Sequence, residues 1–527
     1  MVAAPDGRRA VYAAAPPAVP PDAGEALELA PALDPGALGS RAFRRAHGVR
    51  YSYVVGDMAG GISSVELVEA AARAGLLAFF GTGGLGLDEV AAALAELRRR
   101  LADLPGAPLG ATLLHNPVEH GVEEGTVDLL LRQDVRTVCA SAFLRLTPGV
   151  VRYRASGLRR LPDGRIAAPH RVFAKVSALE IAAQFMAPPP AAMLRALVDR
   201  GALTPEEAEL AALLPVAEDV TAEADSGGHT DRRPLTVLLP QLLALRDALL
   251  ERHGYREHGA DLRVGAAGGL GDPASVRAAF AMGADYVLTG SINQTSVQAG
   301  TSLRVKHLLA EATMADVAMA PAADMFELGA QVQVLKRGTL YAQRARKLYE
   351  CYRAYDGLES VPAAVRAPLE RDVLRATFDE TWASTERYWQ RQDPRQLERA
   401  ARDPKHRMAL AFRAYLGQSW RWALQGSPER QADYQVWCGP AMGLFNRWVA
   451  GTWLEPLEHR DVVDVGLALL WGACVLTRAE RLAGSGLDLP APSLLAAPPP
   501  ADVLRLLRRP AAPAADAGAR RNGHAAW

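Results

Sequence analysis

The sequence predicts an α/β fold: a closed (β/α)8, or TIM, barrel followed by an appended, mainly α-helical domain. Three observations carry this prediction. From Tyr51 onward, short β-prone runs alternate with Ala- and Leu-rich helical stretches, the rhythm of parallel βα units. Two of those runs, Leu262–Ala266 and Asp285–Thr289, lead into glycines one strand–helix–strand unit apart. After Leu335 the strand pattern stops and a tryptophan-rich helical pattern replaces it.

Taken in order, eight runs are candidate strands: Tyr51–Val55, Leu76–Phe80, Leu109–Leu114, Thr137–Ala140, Val172–Val176, Pro215–Thr221, Leu262–Ala266 and Asp285–Thr289. Between the first three, Val65–Ala74 and Leu87–Leu101 carry apolar residues at helical spacing. Eight strands with intervening helices favour closure over an open sheet. Arg152–His170 contains the turn signal Leu161-Pro-Asp-Gly164 and predicts a hairpin insertion. Ile181–Leu214 reads as two helical stretches, broken at Pro188–Pro190 and at Thr204-Pro205. The expected organisation is a tail and cap over 1–48, the barrel over 49–338, the helical domain over 339–482 and a disordered Pro/Ala-rich tail over 483–527.

Composition narrows the function classes. The formal net charge is zero, which argues against broad electrostatic binding to nucleic acid. Four scattered cysteines have no metal-ligand spacing and read as buried thiols of a reducing compartment. Neither a signal peptide nor a run of eighteen apolar residues is visible, so a cytoplasmic protein without a membrane span is expected.

The chemistry concentrates at the carboxyl ends of the strands, where barrels place their sites. Gly268, Gly269, Gly290 and Ser291 follow the last two strands and form a phosphate cradle, because glycine lets backbone N–H groups approach phosphate oxygens. FMN, a nucleotide or a sugar phosphate would each suit it. The small residues of Gly56-Asp57-Met58-Ala59-Gly60-Gly61 leave room for a flat ring against backbone, or form a tight βα turn. The loop Glu223–Asp231 presents His229 on the pair Gly227-Gly228, a candidate proton or hydrogen-bond donor. It holds no cysteine, which counts against a nucleotide dehydrogenase using a loop thiol. Lys175, one of only five lysines, ends the fifth strand, placed either to stabilise negative charge or to snorkel to the rim. His115-Asn116-Pro117 ends the third strand at the same mouth.

Together the segments resemble a known family. The motifs are Met58-Ala-Gly-Gly-Ile62, Ala224-Asp-Ser-Gly-Gly-His-Thr230, Gly265-Ala-Ala-Gly-Gly269, Thr289-Gly-Ser-Ile-Asn293, Asp316–Phe326, Gln331–Gly338 and Tyr434–Gly443. They resemble the PfaD-type, trans-acting enoyl reductases of polyunsaturated fatty acid synthases and trans-acyltransferase polyketide synthases. That family lies within the nitronate monooxygenase-like flavoprotein superfamily. The resemblance covers roughly residues 40–480. It implies bound FMN, reduction by NADPH and an enoyl substrate carried on an acyl carrier protein. Gly268, Gly269, Gly290 and Ser291 would hold the FMN phosphate, while Met58, Ala59 and Gly60 would line the ring. Gly227, Gly228 and His229 would sit beside it, and Asn116 and Lys175 would contact its polar edge. His229 is the first candidate proton donor, with Lys175 or water as rivals. Arg421 and Arg447 are candidate docking cations for the carrier, and the apolar helical domain makes a homodimer plausible. The competing readings are a nitronate monooxygenase-like FMN oxidase and a scaffold protein.

Overall fold

The computed structural model describes residues 33–115, 120–484, 489–491 and 496–508, together with the short strands Val2–Ala3 and Arg9–Ala10. Eight parallel strands close into a barrel: β1 (Tyr53–Val55), β2 (Leu77–Phe80), β3 (Leu109–Leu114), β4 (Thr137–Ser141), β5 (Arg171–Val176), β6 (Asp219–Glu223), β7 (Arg263–Ala267) and β8 (Val287–Thr289). Their order around the barrel follows the chain, with β8 pairing β1. Each expected strand is present. The sixth begins later than the expected Pro215, because the Val216 and Ala217 N–H groups bond to Ala187 O and Phe185 O in the preceding segment and not to a neighbouring strand. The predicted insertion is a hairpin in which Arg159–Arg160 pairs with Ile166–Ala167.

The barrel interior is filled by side chains alternating inward along each strand. Phe79, Cys139, Phe173, Tyr286 and Leu288 form one buried cluster with Phe43, which enters from the amino-terminal end on helix Arg41–His47. Tyr286 stacks on Phe43 with ring centroids 4.5 Å apart. Below this layer Asp219, fully buried, accepts from Arg263 at 2.6 and 2.7 Å and pairs with His47 at 2.9 Å. Burial opposes charge on Asp219, but the Arg263 guanidinium and His47 outweigh it and hold the carboxyl well below its usual range. All four cysteines are free and buried.

Beyond β8 the chain forms two antiparallel strands, β9 (Val317–Pro321) and β10 (Gln331–Leu335). The two-residue strand Gly228–His229 adds to β10, so a three-stranded sheet carries the loop after β6. Helices follow, including Tyr341–Ala354, Phe378–Gln392, Pro404–Gln425, Ala441–Val449 and Val462–Gly484. A second core joins β9 and β10 to the helices Tyr341–Ala354 and Pro404–Gln425. Among the described residues one helix, Val462–Gly484, is long and apolar enough to cross a membrane. Yet 67% of its most apolar stretch is buried, and it lies along helix Pro273–Ala281 on the barrel wall.

The expectation of disorder from 483 onward needs correction at Ala501–Arg508, which is helical. Leu504 is buried there, Leu507 O accepts from Arg50 and Tyr51, and Arg508 pairs with Asp461 and Asp464. Residues 509–527, most of residues 1–32 and Asn116 lie outside the described residues.

Candidate active site

The two-residue period of a strand explains how charge reaches the barrel mouth. Phe173 faces the interior, so Lys175, two residues on, emerges at the top of the same face. Asp219, Thr221 and Glu223 share the inward face of β6 in the same way. Lys175 Nζ lies 2.8 Å from Asp57 Oδ1 and 3.4 Å from Glu223 Oε1. Asp57 Oδ2 accepts from Ser141 Oγ at 2.6 Å. The three charged side chains are 12%, 3% and 15% exposed for Lys175, Asp57 and Glu223. Burial works against the ammonium, but Asp57 and Glu223 outweigh it and hold the Lys175 pKa well above its ordinary value. Lys175 therefore stays charged at the floor of the site.

The loop after β6 is folded on itself and clamped from outside. Thr230 Oγ1 donates to Ala224 O at 3.0 Å and accepts from Arg232 N–H at 3.0 Å. Gln333 Nε2, on β10, donates to Asp225 Oδ1 and Ser226 O, both at 2.8 Å. His229 Nε2 then meets Asp324 Oδ1 at 3.1 Å, across the turn that follows β9. Burial would push the imidazole pKa down; the Asp324 carboxylate outweighs it and, with Glu223 adding and Lys175 opposing, the net direction is upward. The Asp324 carboxyl is pushed up by burial but held below its ordinary value by His229. About a third of the His229 side chain is exposed, toward the cavity it lines.

The cradle stands next to this loop, where a Cβ on Gly227 would lie 2.9 Å from Ser291 Oγ. Gly268 has φ +85°, and a Cβ there would lie 2.7 Å from Ala224 C. At Gly269 and Gly290 a Cβ would meet no atom within 4 Å, so both backbones border open space. Ser291–Thr295 is a 3₁₀ helix whose first N–H groups have no acceptor within the helix. The segment Trp437–Gly439 of the helical domain closes over this end. Gly439 N–H donates to Ser291 Oγ at 3.0 Å, and Gln294 Nε2 donates to Trp437 O at 2.5 Å. That approach requires glycine, since a Cβ on Gly227 would sit 2.9 Å from Gly439 N. Gln294 Oε1 is left buried without a hydrogen-bond partner. An open glycine cradle beside an unmatched acceptor fits a phosphate-bearing, hydroxylated group such as FMN.

Met58, Ala59, Lys175, Gly227, Gly228, His229, Gly268, Gly269, Gly290 and Ser291 all line this one cavity. Gly60 does not: it packs beneath Trp420, where a Cβ would lie 2.8 Å from the indole. His115 is also turned away from the mouth, with Nδ1 2.8 Å from Glu123 Oε2 and its ring stacked on Phe143. Trp420 and Trp437 form the roof, their ring centroids 6.0 Å apart. Arg421, one of the expected docking cations, stacks its guanidinium 5.3 Å from the Trp420 ring centre. Sequence reasoning did not single out Asp57, Glu223, Asp324 or Gln294 as site residues. Period two from Thr221 could have found Glu223; nothing local signals Asp324.

Comparison with known proteins agrees with the geometry. Residues 355–434 match the model of the inserted helical domain of [acyl-carrier-protein] S-malonyltransferase. The chain is 44% identical over 452 residues to a polyunsaturated fatty acid synthase component of Thraustochytrium sp., covering 85% of this chain and 30% of that protein. It is 43% identical over 445 residues to the polyketide biosynthesis protein PksE of Bacillus subtilis, covering 84% of this chain and 57% of that protein. The chain thus spans between about a third and somewhat over half of these relatives. The solved enoyl reductase domain of MlnA, from the macrolactin cluster of Bacillus amyloliquefaciens, superposes with a TM-score of 0.80 at 38% identity, covering 85% of this chain and 99% of that domain. With that domain covered almost entirely at this identity, the chain belongs to the PfaD-type, trans-acting enoyl reductases of polyketide and polyunsaturated fatty acid synthases.

Proposed function

We propose that this protein reduces the α,β-double bond of 2-enoyl thioesters delivered on an acyl carrier protein, using FMN and NADPH. The observation that carries the reading is a single cavity lined both by the glycine cradle and by the His229–Asp324 pair. Gly268, Gly269, Gly290 and Ser291 would hold the FMN phosphate, Gln294 Oε1 would accept from a hydroxyl of the linking chain, and Met58 and Ala59 would back the ring. Bound FMN would supply the hydride-transfer chemistry between the nicotinamide and the substrate β-carbon. The remaining work belongs to the protein. Negative charge develops on the thioester oxygen, and a site already carrying a fixed Lys175 ammonium, with Asp324 favouring the charged form of His229, stabilises it without reorganisation. His229, its Nε2–H anchored on Asp324, is the group that delivers the α-carbon proton, from Nδ1, and is reprotonated from solvent. Trp420 and Trp437 exclude water above the site.

The test uses purified protein, its flavin absorbance and NADPH oxidation with a crotonyl thioester. The expected result is a yellow protein that consumes NADPH only with the enoyl thioester. A protein that never takes up FMN refutes the reading, and one that oxidises nitronates but ignores enoyl thioesters replaces it with the oxidase. His229→Ala should keep the flavin and lose about 10²- to 10⁴-fold in turnover, the usual contribution of a positioned general acid.

A further inference from the structure

From sequence the helical domain is an appendage. In the structure, one face of the helix Pro404–Gln425 reaches the active site. Arg413, Leu416 and Trp420 stand at i, i+3 and i+7 and so share that face. Trp420 closes the cavity roof. Arg413 is 8% exposed; its Nε donates to Ala323 O at 2.8 Å and its NH1 lies 3.6 Å from Glu327 Oε1. Ala323 and Glu327 bracket Asp324, the residue that meets His229. The Leu416 carbonyl accepts from the Gln435 amide at 3.0 Å, and Gln435 in turn accepts from Trp437 Nε1 at 3.1 Å, with the amide oriented to satisfy its neighbours. A buried guanidinium costs several kcal/mol unless it is paired, and an apolar side chain would fill the same space more cheaply. Here the cation both pairs with Glu327 and donates to a backbone carbonyl adjoining Asp324.

We propose that Arg413 is a positioning residue for the proton donor: it fixes the turn after β9 so that Asp324 meets His229. The helical domain then completes the active site rather than merely docking a partner. The proposal rests on the reading of His229 as proton donor, but its test does not. His229 is faced by Asp324 from this turn, Glu223 from β6 and Lys175 from β5, and Asp324 is faced by His229, Arg413 and Tyr341.

The experiment is a pH titration of His229 in the FMN-loaded, full-length protein by NMR of isotope-labelled histidine, assigned with His229→Asn. Wild-type His229 should titrate above the ordinary value of about 6.5. Asp324→Asn should lower it by roughly one unit, and Arg413→Gln by at least about half that shift, while Arg413→Lys, which keeps a cationic donor, restores it. Where Arg413→Gln does not fold, Arg413→Met fills the same space. A folded Arg413→Gln or Arg413→Met protein in which His229 titrates as in the wild type overturns the proposal, as does an unmoved titration in Asp324→Asn. If both shifts occur yet His229→Ala still reduces the thioester at full rate, the positioning stands and the proton-donor assignment falls.

Discussion

The three cradle glycines separate fold from ligand, and alanine at each gives a different expected result. Gly290 has φ −119° and no atom within 4 Å of its missing Cβ, so Gly290→Ala carries no left-handed strain and no clash. Its effect on stability should stay within about 0.5 kcal/mol, as for other substitutions that touch nothing. On the proposed reading, however, the added methyl occupies space that the FMN phosphate would fill. Overpacking of that kind costs about 1–3 kcal/mol. At about 1.4 kcal/mol per tenfold, that is a 5- to 150-fold rise in the Kd for FMN. Gly268 is the opposite case, with φ +85° and a Cβ 2.7 Å from Ala224 C and 2.9 Å from Asp225 N. Left-handed strain costs roughly 1–2 kcal/mol there. The clash is with strand-end backbone that has little freedom to give, and adds about 1–3 kcal/mol more. Gly269→Ala falls between them, strained at φ +72° but unobstructed. Guanidinium unfolding of the flavin-free protein reads stability, and quenching of FMN fluorescence reads affinity. The reasoning fails if Gly290→Ala binds FMN as tightly as the wild type, or if Gly268→Ala unfolds at the wild-type midpoint.

Three further outcomes follow from the charged groups. Lys175→Met leaves Asp57 and Glu223 buried without their cation and should destabilise by about 3–5 kcal/mol, checked by the unfolding midpoint. Because the His229 pKa is raised, its pairing stabilises fully below the unfolded value of about 6.5 and is lost as pH rises through the folded value. The alkaline limb of kcat/KM should accordingly lie above about 6.5 and move down in Asp324→Asn; a limb that does not move excludes the pair from the reaction. The depressed Asp219 pKa works in the other direction, stabilising above the unfolded value of about 3.9 and lost as pH falls through the folded one. Arg263→Met should remove about 3–5 kcal/mol, and equal stability of mutant and wild type at neutral pH would show that the barrel floor is not held by this pair.

How much of this was legible in the sequence depended on the range of the forces involved. The strands show because alternation is local, and the glycine loops show because a positive φ restricts residue type at the position itself. The late start of β6 is invisible locally: Val216 and Ala217 look like strand residues, and only their bonds to Phe185 and Ala187 remove them from the ladder. Asp324 is 95 residues from His229 and becomes its partner only through the pairing of Gly228–His229 with β10. The segment Gln331–Gly338 was informative only as a likeness; the structure gives it a physical task, since Gln333 clamps the histidine loop. Tryptophan-rich helices suit a packed core, and Trp389 is buried in one, whereas Trp420 and Trp437 line the cavity. Composition cannot separate the two, because indole suits an interior and a ligand wall equally well.

The contacts of Gly439 with Ser291, 148 residues earlier, and of Trp437 with Gln294, 143 residues earlier, also bear on the order of assembly. All eight barrel strands precede residue 290, yet the cradle acquires its cover only once the chain has been synthesised past Gly439. On the ribosome the eight strands would emerge before the segment that covers the cradle. Flavin added during refolding should therefore rescue yield late in the process, after the barrel signal has appeared, and a fragment ending at the barrel should hold flavin weakly however well its strands close.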